Sequence, residues 1–499
     1  MRSFKNFMLI KEEENTNNKD WRKSYIQLEK GFIPPSKMKP VIDAFLASGE
    51  IKLTNDVSKA PTMPKKSLFL VGGPVRDFLM NKPIKDFDLA TNATPEQIAH
   101  ILSNGGFKMA GDRSGKNGEP LNLTFKPEEA QSGDKKYWFI KGRDASQNGK
   151  AFVISAVVDG EEFEIATFRK DAKVTDGAAE VDFVDNPHDD ASRRDLTINS
   201  LYIELTKSNG ENSKLFDPTG KGWHDVKNNV VRTVGKPEDR FQEDKLRILR
   251  AIRFHSRFGN TDQMDPEIEK ALPKFKHLEG VALERIRDEF LKGLVHPDVD
   301  SRRYLSIYKR TGLLSKVFPD VSFESAGGVP VEFTDKKDKL LALAWLLQHN
   351  SLEKINSVLS PLRKYGEEEK ATGWTTQEKR AILFLLKLKE FSPDQLPNFM
   401  KMREGTGLSN QQIRDWVDMF KIKGTAKNSR PWWAKQVNAF SDYQKSVNWQ
   451  SAVDAGHHKC SNCKGQGCIN CRFTGEVSPE ERGNVISKLE IDNFKNKLK

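Results

Sequence analysis

The spacing of apolar and polar residues changes along the chain, and the changes divide it. Ser67-Leu-Phe-Leu-Val71 is a short unbroken apolar run closed by Gly72-Gly73, which predicts a buried strand turning into a helix. Asp86-Phe-Asp-Leu-Ala90 alternates acidic and apolar residues at period two, predicting a strand with both carboxylates on one face. Alternation returns over Ala151 to Val158 and Glu162 to Thr167, two strands joined by an Asp159-Gly160 hairpin turn. From Gly105 to Lys150 the composition shifts to Gly, Lys, Ser, Asn and Asp, predicting a long, partly mobile insertion. The polar stretch ahead of all this holds one predicted helix, Pro40 to Leu46.

Beyond Asp239 the period becomes 3.6. Leu246, Leu249, Ile252, Phe254 and Phe258 mark an amphipathic helix. Further helices fit Leu283 to Leu294, Arg303 to Lys309, Lys337 to Gln348, Gln377 to Lys389 and Gln411 to Lys421. The expected class is therefore α+β: a mixed sheet with helices, then an all-α C-terminal half.

Charge and cysteine use narrow the possibilities. The 81 Lys and Arg against 70 Asp and Glu leave a net charge of +11, which suits a polyanionic partner. Leu340 to Leu347, the longest clean apolar run, falls far short of the roughly twenty residues of a membrane span. The N-terminus lacks the h-region of a signal peptide. All four cysteines fall between Cys460 and Cys471, which excludes a disulfide framework spread over the fold and fits a cytoplasmic protein. No membrane partner is expected, and no obligate protein partner is evident.

The first chemical constellation is Gly72-Gly73-Pro-Val-Arg76-Asp77 followed by Asp86-Phe87-Asp88. Glycines at a strand-to-helix turn let backbone amides approach a phosphate. Two aspartates one residue apart can share Mg²⁺, the hard ion such oxygens suit, and a pair of ions serves phosphoryl transfer. Either feature alone is more often structural; together they point to a site. A third carboxylate is expected from Glu162-Phe163-Glu164-Ile165, where Glu164 and Glu162 lie on one face and compete for the role.

The chain resembles the class II, bacterial-type family of tRNA nucleotidyltransferases and poly(A) polymerases. The resemblance rests on VGGPVRDFLMNKPIKDFDLAT, EFEIATFRKD, DDASRRDLTINSLYI, FDPTGKGWHDVKNNVVRTVGKPEDRFQEDKLRILRAIRF and LERIRDEFLKGL, which occur in family order. It implies that Asp86 and Asp88 hold two Mg²⁺ ions with Glu164 supporting them. It implies that Gly73 and Arg76 hold the triphosphate, that Arg194 contacts the nucleotide, and that Asp195 lies near the ribose hydroxyl. Leu196 and Ser200 depart from the usual Phe and Ala of that block.

Asp244 and Arg247, three residues apart, are expected on one face of a helix. Cytosine and adenine both present an amino donor beside a ring-nitrogen acceptor, so a carboxylate and a guanidinium can read either and refuse uracil and guanine. Each good pair discriminates by about 1–3 kcal/mol. The family uses the pair in this way, and by the same resemblance Arg250 and Arg253 help hold the nucleotide. Full addition of CCA to tRNA from CTP and ATP leads among the activities implied. Poly(A) tailing, partial addition of CC or A, and a non-catalytic RNA-binding role are the alternatives. No adjacent His-Asp follows residue 330, which excludes the phosphohydrolase domain that some relatives carry.

The expected domains are an N-terminal extension (1–66), a nucleotidyltransferase domain (67–205), a helical nucleotide-recognition and neck domain (206–330), a helical RNA-binding body (331–450) and a cysteine module with tail (451–499). Residues 401–450 interleave basic residues with aromatics, and Arg430, Trp432 and Trp433 are the candidate RNA contacts. Trp416 and Phe420, at i and i+4, read as helix core instead. Cys460, Cys463, Cys468 and Cys471 suit one structural Zn²⁺. His457 and His458 are expected outside that shell, since four thiolates complete it.

Overall fold

The computed structural model describes residues 9–12, 25–28, 31–50, 65–112, 128–141, 153–175, 178–210, 213–259, 261, 263–275, 278, 281–318, 321, 328–359, 374–422, 431–444, 448–454, 459, 477–478 and 481–498. The chain divides into two compact units, Met1–Phe275 and Lys276–Lys499.

The first unit is built on a sheet of β1 (Leu9–Glu12), β2 (Ile26–Leu28), β3 (Leu68–Val71), β4 (Asp88–Thr91), β5 (Lys108–Asp112), β6 (Lys136–Ile140), β7 (Val153–Val158), β8 (Glu161–Thr167), β11 (Tyr202–Glu204) and β12 (Lys214–Phe216). Their order is β1-β2-β12-β11-β3-β4-β8-β7-β6-β5. Strands therefore enter it from beyond both ends of the 67–205 segment. The pairs β4–β8 and β5–β6 are parallel and the others antiparallel, so the expected mixed sheet is present. A separate hairpin is formed by β9 (Arg169–Thr175) and β10 (Ala178–Phe183). Around the strands lie α1 (Lys39–Leu46), α2 (Gly73–Leu79), α3 (Pro95–Asn104), α4 (Pro187–Ser192), α5 (Gly222–Asn228), α6 (Pro237–Glu243), α7 (Leu246–Phe258) and α8 (Pro266–Ala271).

Local chemistry explains these elements. All four residues of β3 are buried, as its unbroken apolar run requires, whereas β8 alternates and buries Phe163 and Ile165. Asp159 and Gly160 both adopt positive φ, 47° and 80°, the backbone that a two-residue hairpin between right-twisted strands demands. Thr94 and Gln97 form a capping box at the start of α3. Phe69, Phe168, Tyr202 and Phe216 close the core on one side of the central strands.

Two expectations are corrected here. The 105–150 insertion contributes β5 and β6 to the sheet, with Trp138 and Ile140 buried. Averaged composition hid the short apolar run Tyr-Trp-Phe-Ile inside a polar stretch. The strand carrying the aspartates begins at Asp88, so Asp86 lies in the exposed segment before it rather than on the strand.

The second unit is helical in every described element. The expected helices are present as Leu283–Leu294, Ser301–Arg310, Lys339–Leu347, Thr376–Lys387 and Asn410–Ile422, and the sequence reading passed over Leu396–Arg403, Pro431–Asp442 and Arg482–Leu498. Phe290, Tyr304, Tyr308 and Phe318 make one aromatic cluster, and Phe333, Trp345 and Trp416 another. Trp416 is fully buried, as expected of helix core. Trp433 is only 4% exposed, which corrects its expected place on an RNA-facing surface: a buried indole has no face to stack on a base. Arg430, the Trp432 side chain, His457, His458 and the four cysteines lie outside the described residues. Among the described residues no helix is long and apolar enough to cross a membrane.

Candidate active site

At the end of β3, Gly72 turns the chain with φ 73°, and α2 starts at Gly73. The Gly72 amide donates to the Leu201 carbonyl, tying the turn to the 195–202 segment. A Cβ on Gly72 would sit 3.4 Å from Arg194 Nη1, so the missing side chain leaves room for that guanidinium.

The parallel pairing of β4 with β8 sets Asp88 directly opposite Glu164. Phe87 packs near Phe163 and Phe32, on the other side of the chain from its acidic neighbours. The Asp88 carboxyl is pushed up by lost hydration first, then by the charges of Glu164 and Asp86, against the opposing pull of Arg194 and Lys141. Glu164, rather than Glu162, is therefore the strand partner of Asp88. Lys141, just beyond β6, reaches both glutamates with Nζ at 2.8 Å from Glu162 and 2.5 Å from Glu164. Ser155 Oγ donates to the same Glu162 oxygen at 2.7 Å.

Among the described residues, no three His, Cys, Asp or Glu side chains converge into a ready-made metal cage. The donor set nevertheless fits hard divalent cations. Asp86, Asp88 and Glu164 offer only carboxylate oxygens, and the charges of Glu164 and Asp86 crowd Asp88, which such an ion relieves.

The arginine block surrounds this edge. Arg194 donates from Nε and Nη2 to Asp190 Oδ2 at 3.2 and 3.0 Å, and from Nε to the Tyr202 hydroxyl at 2.9 Å. Arg193 holds the other Asp190 oxygen at 2.6 Å. Burial alone would raise Asp190; the two guanidiniums and the Tyr202 hydroxyl outweigh it and hold the carboxyl at about 2. Asp195, also buried, accepts from Arg250 Nε at 2.7 Å and from the Leu196 amide at 2.8 Å. Burial opposes its charge, and Arg250 turns the balance to a lowered pKa.

Two placements differ from expectation. Arg76 is 4% exposed and committed: it donates to Asn199 Oδ1 at 2.5 Å and to Asp77 at 2.8–2.9 Å, and lies 5.0 and 4.9 Å from the Phe254 and Phe258 ring centres. Burial pulls its pKa down to about 10 despite Asp77. It clamps α2 to α7 instead of opening toward a triphosphate. Asp244 and Arg247 do not share a helix. Asp244 is extended, φ −148°, in the break between α6 and α7, and its Oδ1 accepts from the Leu246 amide at 2.9 Å. Arg247 lies in the first turn of α7, donating to the Arg193 carbonyl at 2.7 Å and to Glu243. A carboxylate before a helix satisfies amides that have no partner within it, and that preference breaks the 3.6 pattern at Asp244. Arg253 lies over Phe254, 4.2 Å from its ring centre.

Asp190, Asn199, Tyr202, Glu243 and Lys141 were not singled out by sequence. Asp190 had a signal in the Asp189-Asp190 pair ahead of the arginines; Lys141 had none, since the polar composition around it masked the strand.

Comparison with known proteins places the chain among relatives. The Poly A polymerase head domain family matches residues 68–129 and 138–232, and the family described as the probable RNA and SrmB-binding site of polymerase A matches 263–324. The CCA-adding enzyme of Lactobacillus delbrueckii subsp. bulgaricus is 30% identical over 365 residues, spanning 72% of this chain and 70% of its own. That of Bacillus subtilis is 35% identical over 227 residues, 45% of each chain. A solved structure of a CCA-adding enzyme, apo form II, shares the fold, with a TM-score of 0.55 at 17% identity over 92% of each chain.

Proposed function

This chain belongs to the class II CCA-adding enzyme family of tRNA nucleotidyltransferases, and on that premise we propose that it adds C, C and A in turn to the 3′ end of tRNA, taking CTP and ATP without a nucleic-acid template. The observation carrying this reading is the Asp88–Glu164 register beside the Gly72–Gly73 turn and Arg194. The 3′-hydroxyl oxygen bonds to the α-phosphorus as the bond to pyrophosphate breaks, and the hydroxyl proton passes to solvent water.

Asp86, Asp88 and Glu164 would hold two Mg²⁺ ions, which when bound stabilise negative charge on the reacting phosphate oxygens. The Gly73 amide, at the start of α2, approaches the phosphates, since no side chain intervenes. Arg194 contributes positive charge there, held in position by Asp190 and Tyr202. Asp195, buried and hydrogen-bonded to Arg250, faces the ribose hydroxyl. Asp244 and Arg247 read the amino and ring-nitrogen edge of the incoming base, with Arg250 and Arg253 holding the nucleotide. Positioning and charge supply most of the acceleration. Arg76 supports the turn, its guanidinium 3.5 Å from where a Cβ on Gly73 would sit. Segment 67–205 would then carry the chemistry and 206–330 the recognition of the base. The cysteine cluster would bind one Zn²⁺ in a structural role.

The test supplies Mg²⁺, labelled CTP or ATP, and tRNAs ending before or within CCA. Both nucleotides are expected to be incorporated in order, and Asp88→Asn or Asp86→Ala to abolish incorporation while tRNA binding persists. Incorporation surviving either change defeats the metal-site assignment; use of ATP alone on every tRNA defeats full CCA addition.

A further inference from the structure

The ammonium group of Lys141 lies between Glu164 of the candidate metal site, at 2.5 Å, and the neighbouring Glu162, at 2.8 Å, and Glu164 is the register partner of Asp88. Its backbone is fixed, because the Lys141 amide donates to the Val153 carbonyl at 3.1 Å where β6 meets β7. The side chain therefore reaches across β7 to β8. Its partners are fixed as well: Ser155 holds Glu162, and Glu164 is set by pairing on both sides, with Asp88 and with Ser155. Lys141 is about 43% exposed, so it can leave without unfolding the sheet. Arg194, whose charge also acts on Asp88, is committed to Asp190 and Tyr202.

We propose that Lys141 is a built-in counter-ion that occupies the Glu164 side of the carboxylate site before a divalent cation enters, and that the cation must displace it. This rests on the reading of Asp86, Asp88 and Glu164 as metal-holding residues. A lysine at this place has two consequences. It neutralises crowded carboxylates when no ion is bound, which stabilises the central strands that carry them. It also competes with the ion for Glu164, so it sets the cation concentration at which the site fills. One ammonium gives up two contacts on release, but both lie near water, where an ion pair is weak. The competition is therefore modest, and the site remains loadable.

The experiment measures Mn²⁺ binding to the full-length protein by loss of the free-ion electron paramagnetic resonance signal, alongside thermal melting with and without Mn²⁺. Lys141→Gln is expected to tighten Mn²⁺ binding about three- to tenfold and to lower the melting temperature only when the ion is absent; Lys141→Arg is expected to behave as the parent. Unchanged or weakened Mn²⁺ binding in Lys141→Gln overturns the proposal, as does an equal fall in melting temperature with and without the ion. Asp88→Asn separates this from the premise: if Mn²⁺ affinity is undiminished in Asp88→Asn, the carboxylate reading itself fails, whatever position 141 does.

Discussion

At the scale of single residues, the site is set by charges that lose water and regain partners. Asp190 is 1% exposed and holds Arg193, Arg194 and Tyr202 together. Its carboxyl sits at about 2, below the ordinary aspartate value of 3.8, so the folded protein favours the charged form. That stabilisation is fully present above about pH 4 and is lost as pH falls toward 2. Asp190→Asn is expected to lower stability at pH 7 and to flatten the fall in denaturation midpoint over that acid range; an unaltered acid profile would show that the group contributes nothing. Gly72 makes a second residue-scale prediction. With φ at 73° and Arg194 at 3.4 Å from an added Cβ, Gly72→Ala is expected to cost about 1–2 kcal/mol in urea unfolding and to weaken nucleotide binding. The requirement for glycine followed from the strand-to-helix turn, whereas the local Asp190–Arg194 spacing did not show that Tyr202 would join them.

At the scale of elements, periodicity served well where one face of an element is buried. The long helices Leu283–Leu294 and Asn410–Ile422 match their amphipathic patterns closely. It failed where a side chain's chemistry competes with its place in a pattern: Asp244 fits a helical spacing, yet its carboxylate caps the amide of Leu246 and breaks the helix. It failed also for Pro431–Asp442, where basic neighbours suggested an exposed aromatic surface but Trp433, Val437 and Phe440 are buried. Trp433→Ala is therefore expected to remove core contacts and cost about 3–5 kcal/mol, read as a lower melting temperature. An unchanged melting temperature with weakened RNA binding would restore the surface role.

At the scale of the whole molecule, a surplus of 11 positive charges spread over a sheet-based and a helical unit provides the long-range attraction expected of a protein that handles tRNA. tRNA affinity is expected to fall by about 10³-fold between about 50 and 200 mM salt, the response of a protein holding about six phosphates. A flat response in filter binding would assign recognition to contacts other than the backbone. Sequence alone determined the succession of a mixed sheet and a helical half, the Gly72–Gly73 turn and the identity of the acidic and basic residues around it, because each depends on spacing within one short segment. Tertiary structure decided which of those residues meet. Glu164 is opposite Asp88 because β4 and β8 pair in parallel, Arg76 is buried because α7 closes over it, and Lys141 arrives because β6 joins the sheet. Partners such as these lie from about 20 to nearly 180 residues apart, and no local period encodes a contact across that distance.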